Sequence, residues 1–89
     1  MTRFEALVEV TLRPGIADPQ GATIEKALAA LGFDRISNVR AGKAFRLHVE
    51  AANEDEARKR VADLCQRFLT NPVIEDAAIS LEPAAPADR

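Results

Sequence analysis

Eighty-nine residues, 47% of them apolar, allow one domain with a thin core, because a chain this short buries only roughly 60–65% of its unfolded surface. Twelve basic and 14 acidic residues are interspersed to a net charge of −2, so no Lys/Arg run offers the basic face that phosphate binding to nucleic acid requires. A single cysteine, Cys65, excludes an intrachain disulfide and a multi-cysteine metal site, and no apolar run approaches the roughly 18 residues of a membrane span.

Phe4, Ala6, Val8, Val10 and Leu12 alternate with Glu5, Leu7, Glu9 and Thr11, the period-two signature of a half-buried strand, and Arg13-Pro14-Gly15 ends it. Met1-Thr2-Arg3-Phe4-Glu5 is unlike a secretory leader, so a cytoplasmic, reducing location is expected. Asp18 then reads as an N-cap and Pro19 as the first helical residue, where its missing N–H costs nothing. Ile24, Ala27, Leu28 and Leu31 form the apolar stripe of that helix, and Gly32 is its stop.

Ile36 to Ala41 reads as a second strand, turned at Gly42 into a third in which Phe45, Leu47 and Val49 alternate with Arg46, His48 and Glu50. Asn53 and Glu56 have the spacing of a capping box. The stripe Ala57, Val61, Leu64, Cys65, Phe68 carries a second helix to about Thr70, where Asn71-Pro72 stops it. On that helix Glu54, Asp55 and Glu56 precede Arg58-Lys59-Arg60 at the spacing of solvated i,i+4 pairs. A last strand runs from Val73 to Glu82, so residues 1–82 form the domain and 83–89 a Pro/Ala-rich tail expected to be disordered.

The order β-α-β-β-α-β predicts an α/β fold of the α+β two-layer kind. Right-handed crossovers place both helices on one face of a four-stranded antiparallel sheet. The other face carries Glu5, Leu7, Glu9, Arg46 and His48 and is free to meet solvent or a partner. A shallow core favours association, since joining another chain buries more apolar surface.

No complete catalytic constellation emerges. Cys65 falls on a buried stripe and His48 on the outer sheet face, too far apart for a nucleophile–base pair. Gly42-Lys43 lacks the upstream glycine and the hydroxyl residue of a phosphate loop. Glu75 and Asp76, neighbours in a strand, point to opposite faces and cannot act as an acid–base couple. The outer face shows no aromatic for base stacking, and the loop after the first strand has no Cys-x-x-Cys. Arg13 and Asn38 sit where an acylphosphatase-like site would use an Arg and an Asn, but only Gly15 stands in for its glycine-rich cradle. A free-standing module binding a small metabolite between paired domains is the other reading that this topology permits.

Three segments, Leu12 to Gly21 followed by Ala27-Leu28, Val39 to Lys43, and Cys65 to Asp76, occur in an order and spacing that resemble the PurS family, the small subunits of phosphoribosylformylglycinamidine synthase. The resemblance spans about residues 4–82 and matches at Asp18, Pro19, Gln20 and Gly21, at Arg40, Gly42 and Lys43, and at Asn71, Pro72, Val73, Ile74 and Glu75. Ala17 and Ala77-Ala78 are smaller than the family's pattern. It implies a non-catalytic accessory subunit in purine biosynthesis. Such a subunit bridges a glutaminase (PurQ) and a synthetase (PurL), and helps ammonia pass between them in the glutamine- and ATP-dependent conversion of formylglycinamide ribonucleotide. It also implies a homo-oligomer, dimer or tetramer, with ATP and magnesium bound by the synthetase and no cofactor in this chain. Asp18, Pro19, Gly42 and Pro72 have sufficient structural roles, whereas Gln20, Arg40 and Lys43 are less explained by folding and are expected to be subunit contacts.

Overall fold

The computed structural model describes residues 1–84. Strand β1 (Thr2–Leu12) lies at the centre of a three-stranded antiparallel sheet, flanked by β2 (Gly42–Ala51) and β3 (Glu75–Pro83). Helix α1 (Pro19–Ala30) joins β1 to β2, and α2 (Glu54–Leu64), prolonged by a π-helical turn over Cys65–Leu69, joins β2 to β3. The expected two-layer α+β class holds, with three strands in place of four.

The alternation read in β1 sets the register. Val8 stands between Phe45 and Ile79, and Ala6 between Leu47 and Leu81, all on the inner face. Val8, Val10 and Val61 are almost fully enclosed, and burying an aliphatic side chain of this kind contributes about 1.5–3 kcal/mol. Helix α2 lies along this face, with Ala57 against Phe4 and Ala51, and Val61 and Cys65 against Ala6, Val8 and Val10. Asn53 Oδ1 accepts from Glu56 N at 2.8 Å, and Glu56 Oε1 accepts from Ala52 N at 2.6 Å, a capping box shifted by one backbone group.

Four expectations are corrected. Ile36 to Ala41 is not a strand, because Arg35 (φ 64°) and Asn38 (φ 58°) adopt the left-handed region and break the extended run. Its backbone donors go to carboxylates instead: Val39 N to Glu25 Oε1 at 3.0 Å and Ala41 N to Asp18 Oδ2 at 2.8 Å. Gly42 consequently turns no hairpin. It opens β2 opposite Thr11, so close to β1 that a Cβ there would lie 2.6 Å from the Val10 carbonyl oxygen.

Second, α1 does not lie on the sheet, and it makes at most a grazing contact with any strand or with α2. Ile24, Ala27 and Leu31 are therefore exposed, Leu31 by 71%, and only Leu28 is half-buried. The helix is nonetheless well terminated. Asp18 Oδ1 accepts from Gly21 N at 2.9 Å, while Gly32 (φ 88°) lets Phe33 N reach Leu28 O at 2.9 Å in a Schellman stop. With α1 projecting beyond the sheet, the molecule extends 52 Å and its radius of gyration is 16.8 Å, against about 12 Å for a compact chain of this length.

Third, the π-helical turn inserts a residue into the helical repeat, which turns Phe68 outward (80% exposed) and sets Leu69 against the core; Leu64 is also exposed. Fourth, β3 begins at Glu75, after a turn through Asn71–Ile74, rather than at Val73. It runs through Pro83, and Ala84 N donates to Arg3 O at 2.9 Å; the remainder of the expected tail, 85–89, lies outside the described residues.

Candidate functional site

The three motif segments, separate in sequence, converge at the end of the sheet where α1 projects. β1 ends there, β2 begins there through Gly42 and Lys43, and β3 begins there at Glu75. They enclose an open cleft of about 400 Å³, with Val10 and Leu12 as its floor and Asp18, Gln20, Lys43 and Glu75 among its polar lining.

Asp18 ties the site together. One carboxylate oxygen accepts from Gly21 N and the other from Ala41 N, and the Arg40 guanidinium stands 3.6 Å away. The two backbone donors, of Gly21 first and then of Ala41, hold its carboxyl below the usual carboxylate range, and Arg40 adds to this. Gly21 is required by a close approach, since a Cβ there would fall 2.5 Å from the Val39 carbonyl oxygen. Helix α1 and the returning segment to Ala41 are thus pinned to each other rather than to the sheet.

On the opposite wall, Glu75 Oε1 accepts from Asn71 N at 2.8 Å and its Oε2 lies 3.8 Å from Lys43 Nζ. Asn71 Oδ1 accepts from Val73 N, so the Asn71-Pro72 turn is built around Glu75. Lys43 Nζ also sits 5.9 Å from the centre of the Phe45 ring.

Arg40 and Lys43 therefore each hold an intramolecular ion pair, while Gln20 is exposed at the cleft mouth. The sequence pattern places these residues but not their partners, which lie 22 and 32 positions away. Val73, 78% exposed, joins Phe68 among the large apolar side chains left open to solvent; no local signal separates either from a core residue.

Elsewhere the structure disperses chemistry. Cys65 is buried on the inner face, where desolvation pushes its thiol pKa up, and His48 stands opposite Glu5 on the outer face. Arg13 is engaged with Asp76 at 3.3 Å and donates to the Glu75 carbonyl at 3.4 Å, whereas Asn38 belongs to the returning segment. Glu75 and Asp76 face apart, toward Lys43 and Arg13 respectively. Among the described residues no cluster of three metal-ligating side chains occurs.

The sequence profile of PurS, phosphoribosylformylglycinamidine (FGAM) synthase, matches residues 5–83. The phosphoribosylformylglycinamidine synthase subunit PurS of Archaeoglobus fulgidus is 42% identical over 72 residues, 81% of this chain and 90% of its own. The crystal structure of Methanocaldococcus jannaschii PurS, one of the subunits of formylglycinamide ribonucleotide amidotransferase in the purine biosynthetic pathway, superposes with a TM-score of 0.83 at 33% identity, covering 92% of this chain and 99% of that one. A chain in the structure of PurLQS from Thermotoga maritima gives a TM-score of 0.85 at 33% identity, covering 92% of this chain and all of that one.

Proposed function

Because the chain belongs to the PurS family of phosphoribosylformylglycinamidine synthase subunits, we propose that it works as the non-catalytic small subunit of that complex, bridging the PurL synthetase and the PurQ glutaminase. The observation that carries this reading is the convergence of the three motif segments at the root of the projecting helix. The charged residues there are engaged in shaping the surface: Asp18 and Arg40 pin the arm, and Glu75 and Lys43 hold the turn before β3. What they leave outward is Gln20, the apolar stripe of α1, and Phe68 with Val73, the chemistry of contact rather than of turnover.

Ammonia transfer asks of such a subunit only that it help close a dry joint between two active sites, which keeps the nucleophile unprotonated and stops its escape. ATP and magnesium belong, on this reading, to the synthetase. Its place of action is the cytoplasm, and no helix among the described residues is long and apolar enough to cross a membrane. Self-association is part of the same reading, because the chain exposes more apolar surface than a solitary small domain needs to.

Reconstitution tests it. With purified PurL and PurQ, adding this chain should restore glutamine-dependent product formation and leave synthesis from free ammonium salt unchanged. Equal glutamine-dependent rates with and without the chain would reject the bridging role. Within the complex, R40A and K43A should weaken assembly by loosening the two walls of the cleft; unchanged affinity in a titration would remove both residues from the docking surface.

A further inference from the structure

Met1 and the arm of α1 with its return segment aside, the large apolar side chains most exposed among the described residues are Phe68 (80%) and Val73 (78%). They stand five residues apart on the connection from α2 to β3, and neither is exposed because the chain is slack there. The π-helical turn over Cys65–Leu69 sets Leu69 against the core and leaves Phe68 outside, and Thr70 locks it by donating from both N and Oγ1 to Cys65 O at 2.9 Å. Single π-helical turns are rare and concentrate at functional sites.

The turn that follows is held by Asn71, Glu75 and Arg13 together. Asn71 O accepts from Ile74 N at 3.0 Å and from Glu75 N at 2.8 Å, and Asn71 Oδ1 accepts from Val73 N at 3.2 Å. Glu75 Oε1 accepts in return from Asn71 N at 2.8 Å. From the end of β1, Arg13 N donates to Ile74 O at 2.8 Å and Arg13 Nε to Glu75 O at 3.4 Å. Moving the Val73 backbone inward would break its own bond and strain those on either side, so polar bonds keep this side chain in water. A lone apolar group on a surface needs no explanation; two of them, each fixed outward by bonds of its own segment, do.

We infer that residues 65–75 form a preformed docking element whose anchors, Phe68 and Val73, enter apolar sockets on one enzyme subunit of the complex; this rests on the bridging role proposed above. Five residues of extended chain span at most about 18 Å, well inside the roughly 30 Å across a standard interface, so one partner can take both anchors. The ground around them is polar: Arg67 pairs with Asp63 at 3.2 Å beside Phe68, and Asn71 and Glu75 flank Val73. An apolar centre with a polar rim is the anatomy of a docking surface. A twofold contact of this element with its own copy would press the polar rim on itself and offer neither anchor a socket, so the sockets belong to a different protein. Because the element is rigid beforehand, binding orders little that is not already ordered, and apolar contact converts into affinity with small entropic loss.

The test titrates the full chain and its variants into PurL, into PurQ and into their mixture, with sedimentation and far-ultraviolet dichroism alongside. F68S should weaken binding to one of the two subunits by roughly tenfold or more, and V73S should weaken binding to the same subunit by about threefold or more. Affinity for the other subunit should stay unchanged. V73I, which keeps an aliphatic anchor, should bind as the unmodified chain does. N71A keeps both anchors but removes the acceptor of Val73 N, and should cost about threefold through the looser turn. Losses divided between PurL and PurQ, or unchanged affinity in F68S and V73S, would overturn the shared anchor, and unchanged affinity in N71A would overturn its preformed state. A changed sedimentation coefficient in place of lost subunit binding would assign the anchors to contact between copies and overturn the inference as well. An unmodified chain that binds neither subunit nor the mixture would instead overturn the bridging role.

Discussion

The sheet with α2 and the arm formed by α1 and its return segment are built on different principles. In the body, apolar alternation in β1 meets an apolar stripe on α2, and burial does the holding: Val8, Val10 and Val61 are enclosed with no polar group among them. In the arm, burial is nearly absent. Side-chain carboxylates do the holding, two from Asp18 and Glu25 accepting backbone donors that a fourth strand would otherwise have satisfied. A hydrophobic body tolerates no loss of volume, whereas a polar-pinned arm tolerates loss of its apolar face but not of its pins.

The largest expected effect breaks that comparison most directly. V61A, which opens a cavity under β1, should cost about 2–3 kcal/mol in urea unfolding. L31A, on a side chain 71% exposed, should leave unfolding of the single chain within about 0.5 kcal/mol and instead flatten the concentration dependence of Tm. Equal losses from both would show that the arm is packed like the body.

G21A comes next. Replacing a helical glycine with alanine ordinarily stabilises a helix by about 1 kcal/mol. Here the added Cβ meets the Val39 carbonyl at 2.5 Å and an Asp18 carboxylate oxygen at 2.6 Å, so overpacking of about 1–3 kcal/mol should outweigh that gain. Net stabilisation in thermal unfolding would mean that the helix and its return segment are not in close contact.

How far these features could be read beforehand differs between the two regions for the same reason. β1, the Asp18-Pro19 cap and the Asn53 box are local patterns, and they were legible because each is satisfied within a few residues. The run from Ile36 to Ala41 reads as a strand even though Ser37, Asn38 and Arg40 blur its alternation. Beside the left-handed residues Arg35 and Asn38, what holds it off the sheet is acceptors 14 and 23 residues upstream, invisible in any local window. The amphipathic stripe of α1 was equally legible, but periodicity states that a face is apolar and not which chain covers it. At the site, the motif segments could be identified, whereas their meeting across Lys43–Glu75 and Arg40–Asp18 is a product of tertiary structure alone.

A smaller, local effect should follow from D18N, which replaces one of the two acceptor oxygens with an NH2 donor, weakens the other and removes the charge partner of Arg40. Amide exchange should accelerate at Gly21 and Ala41 while β1 stays protected. The pH dependence has a definite sign. Since the folded carboxyl titrates below its unfolded value, its stabilisation is fully present above the ordinary carboxylate pKa near 4 and is lost as pH falls through the lower folded value. Protection at Ala41 should therefore hold steady between pH 5 and 7 and fail in acid before that of the sheet; an onset near neutrality would point to a different group.

The smallest effect falls on adjacent residues. An uninterrupted α-helix after Val61 would centre Phe68 on the buried stripe and leave Leu69 at its margin, whereas with the π-helical turn over Cys65–Leu69 Phe68 is 80% exposed and Leu69 packs against the core. The turn is closed by Thr70, whose N and Oγ1 both donate to Cys65 O at 2.9 Å, so the shift is held by two bonds to one carbonyl. F68S should accordingly change unfolding free energy by no more than about 0.5 kcal/mol despite removing an aromatic ring. L69S, deleting a smaller side chain that packs against the core cluster containing Val61 and Cys65, should cost more. The opposite order in paired denaturation curves would restore the regular helix and return Phe68 to the core. With the order as expected, Phe68 keeps its ring in solvent at no cost to the fold, which is the condition under which a partner can bury it.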